Sequence, residues 1–151
     1  MALMKSGKQP LKGGIIVGIN DHWMFGDGWH ERATDGRFGL MHRPSGPEAS
    51  FFLNLPGGDV RITALISGAV TLCGGKIRGK IYCGFQSPEK FILDSENWVI
   101  RRFDFKNAPP GRTPFTWIIE NPFIPNDLLG NGDFRKMGIN TAAIRVENIR
   151  G

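Results

Sequence analysis

The densest run of polar and aromatic side chains is Asp21-His22-Trp23-Met24-Phe25-Gly26-Asp27-Gly28-Trp29-His30-Glu31-Arg32, which holds two of the four tryptophans and two of the three histidines. An indole can stack on the apolar face of a sugar ring while carboxylate, imidazole and guanidinium groups hydrogen-bond its hydroxyls. Trp23, Asp27, Trp29, His30 and Glu31 are therefore candidate ligand-binding residues. A second reading has Trp23, Phe25 and Trp29 plugging one end of a β-fold with the charges facing water. The second chemically informative stretch runs from Ile119-Glu120-Asn121-Pro122 to Gly132-Asp133-Phe134-Arg135-Lys136-Met137-Gly138-Ile139. Asp133 and Arg135 alternate around Phe134, which predicts both charges on one side with the phenyl buried opposite. They read either as an ion pair pinning the last loop or as a site where the guanidinium fork grips an anionic group.

Other chemistries lack the necessary residues. His22, His30 and Glu31 are suitable metal donors by type, but the eight-residue spacing of the histidines across two glycines gives no metal motif, and no metal or cofactor is expected. No serine sits in a Gly-x-Ser-x-Gly elbow, and neither cysteine has a basic or histidine-rich flank. The chain is expected not to be an enzyme. Cys73 and Cys83 flank a Gly-Gly pair and could bridge across a hairpin, but the expectation is two reduced, half-buried thiols.

The elements that position these residues follow from composition and pattern. The 151 residues suit a single core. With 21 glycines and 10 prolines scattered among short apolar runs, the chain predicts many strands joined by tight turns. Period-two alternation places Phe51, Leu53 and Leu55 on one face, as it does Val60, Ile62, Ala64 and Ile66, and also Phe115, Trp117 and Ile119. The phase changes from Trp98 and Ile100 to Phe103 and Phe105, predicting a bulge at Arg101 or Arg102. Strands are also expected at 14–19, 37–42, 70–73, 79–85, 90–93 and 141–149, and a single helical turn at 126–129. About ten strands predict an all-β, two-sheet antiparallel β-sandwich, jelly-roll-like, over residues 14–151, preceded by a flexible segment 1–13.

The net charge of +5 is spread over nearly every segment instead of clustering, which argues against a nucleic-acid partner. No apolar stretch of signal or membrane length occurs, so the expectation is a cytoplasmic chain without membrane insertion.

The combination of Gly28-Trp29 with Glu31 and Arg37, Trp98 ahead of a paired strand, and the closing Glu120-Asn121-Pro122, Asp133-Phe134-Arg135 and Gly138-Ile139 resembles a family of small β-sandwich modules. These accompany bacterial glycosyltransferases and polysaccharide-biosynthesis proteins and look like carbohydrate-binding domains. The resemblance spans about residues 14 to 149. It implies a noncatalytic accessory module whose partner is a glycan, or, in the alternative, a docking or oligomerisation module serving a catalytic domain or a second copy. Glu31 follows Trp29 by two positions where such modules often have three or four, and Arg37-Phe38 stands where Arg-Trp is common.

Overall fold

A computed structural model describes residues 14–149, apart from the side chain of His22. The expected N-terminal segment 1–13 lies outside the described residues. Ten strands form two antiparallel sheets. They are β1 (Ile15–Ile16), β2 (Ala33–Thr34), β3 (Met41–Pro44), β4 (Glu48–Leu55), β5 (Gly58–Ser67), β6 (Ile77–Cys83), β7 (Glu89–Leu93), β8 (Val99–Ala108), β9 (Gly111–Ile119) and β10 (Asn140–Asn148). The larger sheet runs β2-β3-β10-β5-β8, with β1 also pairing β10, and the smaller runs β4-β9-β6-β7. Successive strands from β3 to β6, and again from β7 to β10, alternate between sheets. The fold is the expected jelly-roll-like β-sandwich.

Alternation drives this arrangement because each strand buries every second side chain between the sheets. From β4 come Phe51 and Leu53, from β5 Val60, Ile62, Ala64 and Ile66, and from β9 Phe115, Trp117 and Ile119, all at most 3% exposed. Trp117 is central. Its ring centroid lies 5.4 to 5.8 Å from those of Phe51, Phe91 and Phe103, tying both sheets together.

Four local expectations are corrected. β8 pairs with β5 without interruption from Val99 to Phe105, so no bulge occurs at Arg101 or Arg102. The inward face is Val99, Arg101, Phe103 and Phe105, and Ile100 points outward with 53% exposure. The irregularity instead lies between Phe105 and Ala108, where Asn107 adopts a φ of 52° and its N–H donates to Asp59 Oδ1. Val70–Cys73 is a 3-10 turn, and the tenth strand is β2, whose two residues are too few to show a period. The stretch at 37–42 becomes a strand only at Met41 because Asp35 folds the chain into a turn. Its carboxylate accepts the N–H groups of Arg37 and Phe38 and, at 2.7 Å, the indole N–H of Trp98. Phe134 is not buried opposite its charged neighbours but is 70% exposed. The helical turn expected at 126–129 is a five-residue helix, Pro125–Leu129, preceded in the chain by the four-residue helix Asp21–Met24; these are α2 and α1. Among the described residues no helix is long and apolar enough to cross a membrane.

Cys73 and Cys83 are both free thiols. Desolvation pushes Cys83 up to about 11 and also raises Cys73, with Glu96 adding to the latter. A thiol held protonated is a poor nucleophile. In a timed reaction with an aromatic disulfide reagent at pH 8, Cys83 is expected to stay unmodified until denaturant is added, with Cys73 the first to react. Rapid labelling of Cys83 in the folded protein would contradict its burial.

Candidate functional site

The loop from α1 to β2 is fixed at both ends by Asp21, whose side chain is fully buried. Asp21 accepts the Gly18 N–H at 2.9 Å and a forked pair of bonds from Arg32 Nε and Nη2 at 3.0 and 3.1 Å, while Arg43 Nη1 stands 3.9 Å away. A carboxylate this deep must be paired, and the ion pair ties residues 21 and 32 together at the two ends of the intervening loop. Within it, Phe25 bridges to Phe51 and Trp29 to Ser45, laying the loop along the open edge of β4.

Phe25 and Trp29 stack with centroids 4.1 Å apart and planes 13° from parallel. Trp29 Nε1 donates to the Ser50 carbonyl at 2.7 Å, and Arg43 lies 5.4 Å above the Phe25 ring. Trp29 is thus a half-buried shelf packed against the core, not a freestanding platform. Gly28 makes this possible: its φ is 93°, and a Cβ there would collide with the Glu48 carbonyl oxygen and the Ala49 backbone.

The closing segment meets this loop. Gly46 N–H donates to Gly28 O, Gly138 N–H to Ser45 O, and His30 Nε2 to the Lys136 carbonyl at 3.0 Å. The structure therefore brings together four of the predicted residues that lie about a hundred positions apart. His30 is close enough to Asp133 to help lower its pKa, and Glu31 close enough to Arg135 to help raise that of the guanidinium. Asp133 and Arg135 form a forked pair, Nε to Oδ1 at 2.9 Å and Nη2 to Oδ2 at 2.7 Å. Between them Phe134 presents its ring to solvent. The sequence reading missed that ring as a contact, although a lone aromatic in the polar run Asp-Phe-Arg-Lys, with no continuing alternation, was the available signal.

The remaining two predicted residues sit elsewhere. Asp27 is exposed along β4, its N–H donating to Ser50 Oγ and its carbonyl accepting the Ser50 N–H. Trp23, 66% exposed, belongs to the opposite end of β9, where Arg112 donates to its carbonyl at 2.9 Å and spreads over the Phe52 ring at 4.4 Å. Among the described residues no three His, Cys, Asp or Glu side chains gather as a metal site would need; the side chain of His22 lies outside the described set.

The Arg135 fork, with its hydrogen bond and charge, holds the Asp133 carboxyl down to about 2. Because the folded value is depressed, the pair's contribution to stability is complete above the ordinary value of 3.8 and is lost as pH falls through about 2. In a carbon-detected NMR titration, Asp133 should show a midpoint near 2, moving up toward the ordinary carboxylate value in Arg135→Ala; an unchanged midpoint in that variant would deny the pairing.

No protein-family model and no curated protein matches the sequence. Solved structures do match in fold. A family 35 carbohydrate binding module from Clostridium thermocellum aligns with TM-score 0.54 at 11% identity, over 90% of this chain and 93% of that one. A carbohydrate binding module of Cellvibrio mixtus lichenase 5A, in complex with cellotriose, aligns with TM-score 0.52 at 13% identity, over 91% and 98%. An exo-β-1,3-galactanase from Phanerochaete chrysosporium aligns with TM-score 0.52 at 10% identity over 80% of this chain, which spans about a quarter of that enzyme, 26%. At such identities the likeness is one of fold.

Proposed function

We propose that this chain is a noncatalytic carbohydrate-binding module whose glycan seats on the rim formed by His30, Glu31, Asp133, Phe134 and Arg135, behind which Trp29 forms the shelf. The observation that carries the reading is the 70% exposed ring of Phe134 between a locked carboxylate and guanidinium. A sugar needs an apolar face to stack on and directional donors and acceptors around it. The fork between Asp133 and Arg135 fixes both groups before a ligand arrives, so little side-chain entropy is lost on binding. Neighbours that span nearly the whole chain, and are themselves carbohydrate binding modules, support the reading.

The resemblance in Gly28-Trp29, Glu120-Asn121-Pro122 and Asp133-Phe134-Arg135 further motivates an accessory role beside a glycosyltransferase of polysaccharide biosynthesis, which we propose to be cytoplasmic. A glycan-array screen of the purified protein tests the central claim: reproducible binding to a chemically related group of glycans is expected, and uniform silence would sink it.

A second reading, docking onto a catalytic domain or a second copy, is favoured by Leu128 and Leu129 on α2, 54% and 58% exposed beside the same loop. Under that reading sedimentation shows a dimer or a co-purified partner, and no glycan perturbs tryptophan fluorescence.

A further inference from the structure

The outward face of the larger sheet carries a groove that the carbohydrate reading leaves unused. Its geometry follows from strand register, since residues directly opposite in antiparallel strands place their side chains on the same face. Thr63 on β5 lies opposite Arg102 on β8 and Arg145 on β10, giving a row of guanidinium, hydroxyl, guanidinium. In the next row Leu65 lies between Ile100 and Ala143, and Ile16 of β1 extends the row beyond Ala143. Together these residues line a depression of about 270 Å³. Beyond the arginines, Arg61 pairs with Asp104 at 2.8 Å.

Two features point to a ligand. Thr63 Oγ1 is buried with no hydrogen-bond partner among the described residues, and a buried hydroxyl left unsatisfied is destabilising. Arg102 has no ion pair or side-chain hydrogen bond among the described residues, and Arg145 meets only Glu147 at 3.7 Å, both partners half exposed. The strip beside them, Ile16, Leu65, Ile100 and Ala143, has no aromatic ring and no hydroxyl. A sugar there would leave its own hydroxyls unpaired, whereas a hydrocarbon would not. Residues 1–13 contain Lys5, Lys8 and Lys12 but no Asp or Glu, so no side chain among them can pair with these arginines.

We infer that this groove binds an amphiphilic carboxylate, its head held by Arg102, Arg145 and the Thr63 hydroxyl and its hydrocarbon body laid along Ile16, Leu65, Ile100 and Ala143. Binding here is independent of the glycan rim. The test is an amide NMR titration of the full chain with sodium octanoate, with uncharged 1-octanol and phosphatidylglycerol vesicles as parallel arms. Saturable shifts are expected at Thr63, Leu65, Ile100 and Ala143, with about tenfold weaker binding for 1-octanol and for Arg102→Ala, as befits hydrogen bonds to a charged group. Thr63→Val should weaken octanoate without lowering the melting temperature, because it removes an orphaned hydroxyl. Equal binding of 1-octanol, shifts centred elsewhere, indifference to Arg102→Ala, or capture by vesicles in preference to octanoate would each overturn the assignment.

Discussion

Phe134→Ala is expected to weaken binding to any glycan found for this protein by roughly thirtyfold or more while leaving stability within about 0.5 kcal/mol of the parent. The two halves of that expectation have separate causes. The ring is 70% exposed, so its removal opens no cavity in the core. A sugar stacked on it would lose its only open aromatic partner in the rim, since Trp29 is committed to Phe25 and to the Ser50 carbonyl. Isothermal titration beside a thermal melt reads both halves. Unaltered affinity would remove Phe134 from the site, and a collapsed melt would show that the ring has a structural role. Arg135→Lys is the sharper companion, because it keeps the charge and discards the fork that holds Asp133.

Trp117→Ala should cost about 3–5 kcal/mol, which for a chain of this size lowers the melting temperature by roughly 10 °C or more. Trp117 is 0% exposed and contacts aromatic rings from β4, β7 and β8, so its loss leaves a void shared by both sheets. One detail separates packing from polarity. Trp117 Nε1 is buried without a hydrogen-bond partner among the described residues, a burden that phenylalanine would not carry. Trp117→Phe is therefore expected to cost much less than alanine, the lost ring volume being partly offset by removal of the orphaned N–H. Chemical denaturation of the three proteins measures the series; equal losses for Phe and Ala would mean that the indole N–H has a partner after all.

The rim proposed for a glycan and the sheet-face groove make different demands on a ligand. The rim offers an exposed ring with fixed donors and acceptors; the groove offers aliphatic surface with two cations at one side. A substitution confined to one, such as Phe134→Ala or Arg102→Ala, should leave binding at the other unchanged, because no residue is shared.

Much of the architecture was legible in the chain because burial in a sandwich imposes a period of two. The runs Phe51-Leu53-Leu55, Val60 to Ile66 and Phe115-Trp117-Ile119 announce their inward faces without help from any partner strand. Where burial does not decide, the pattern misleads. Ile100 looks like a core residue in sequence, but the unbroken register with β5 turns it outward. Phe134 looks buried by alternation, but it stands in the irregular segment that follows Gly132, outside every strand. The candidate rim was half legible. His30, Glu31, Asp133 and Arg135 could be nominated by type, yet their meeting depends on backbone bonds between Gly28 and Gly46, Ser45 and Gly138, and His30 and Lys136.

The sequence by itself determined the fold class and the inward faces of the main strands, since both are written in local periodicity and residue type. Only the tertiary structure decided which charged residues share a rim, that Trp29 is a shelf and Trp23 lies at the far end of β9, and that Arg102 and Arg145 flank Thr63. These are matters of cross-strand register and loop closure, fixed by contacts between residues tens of positions apart that no local pattern encodes.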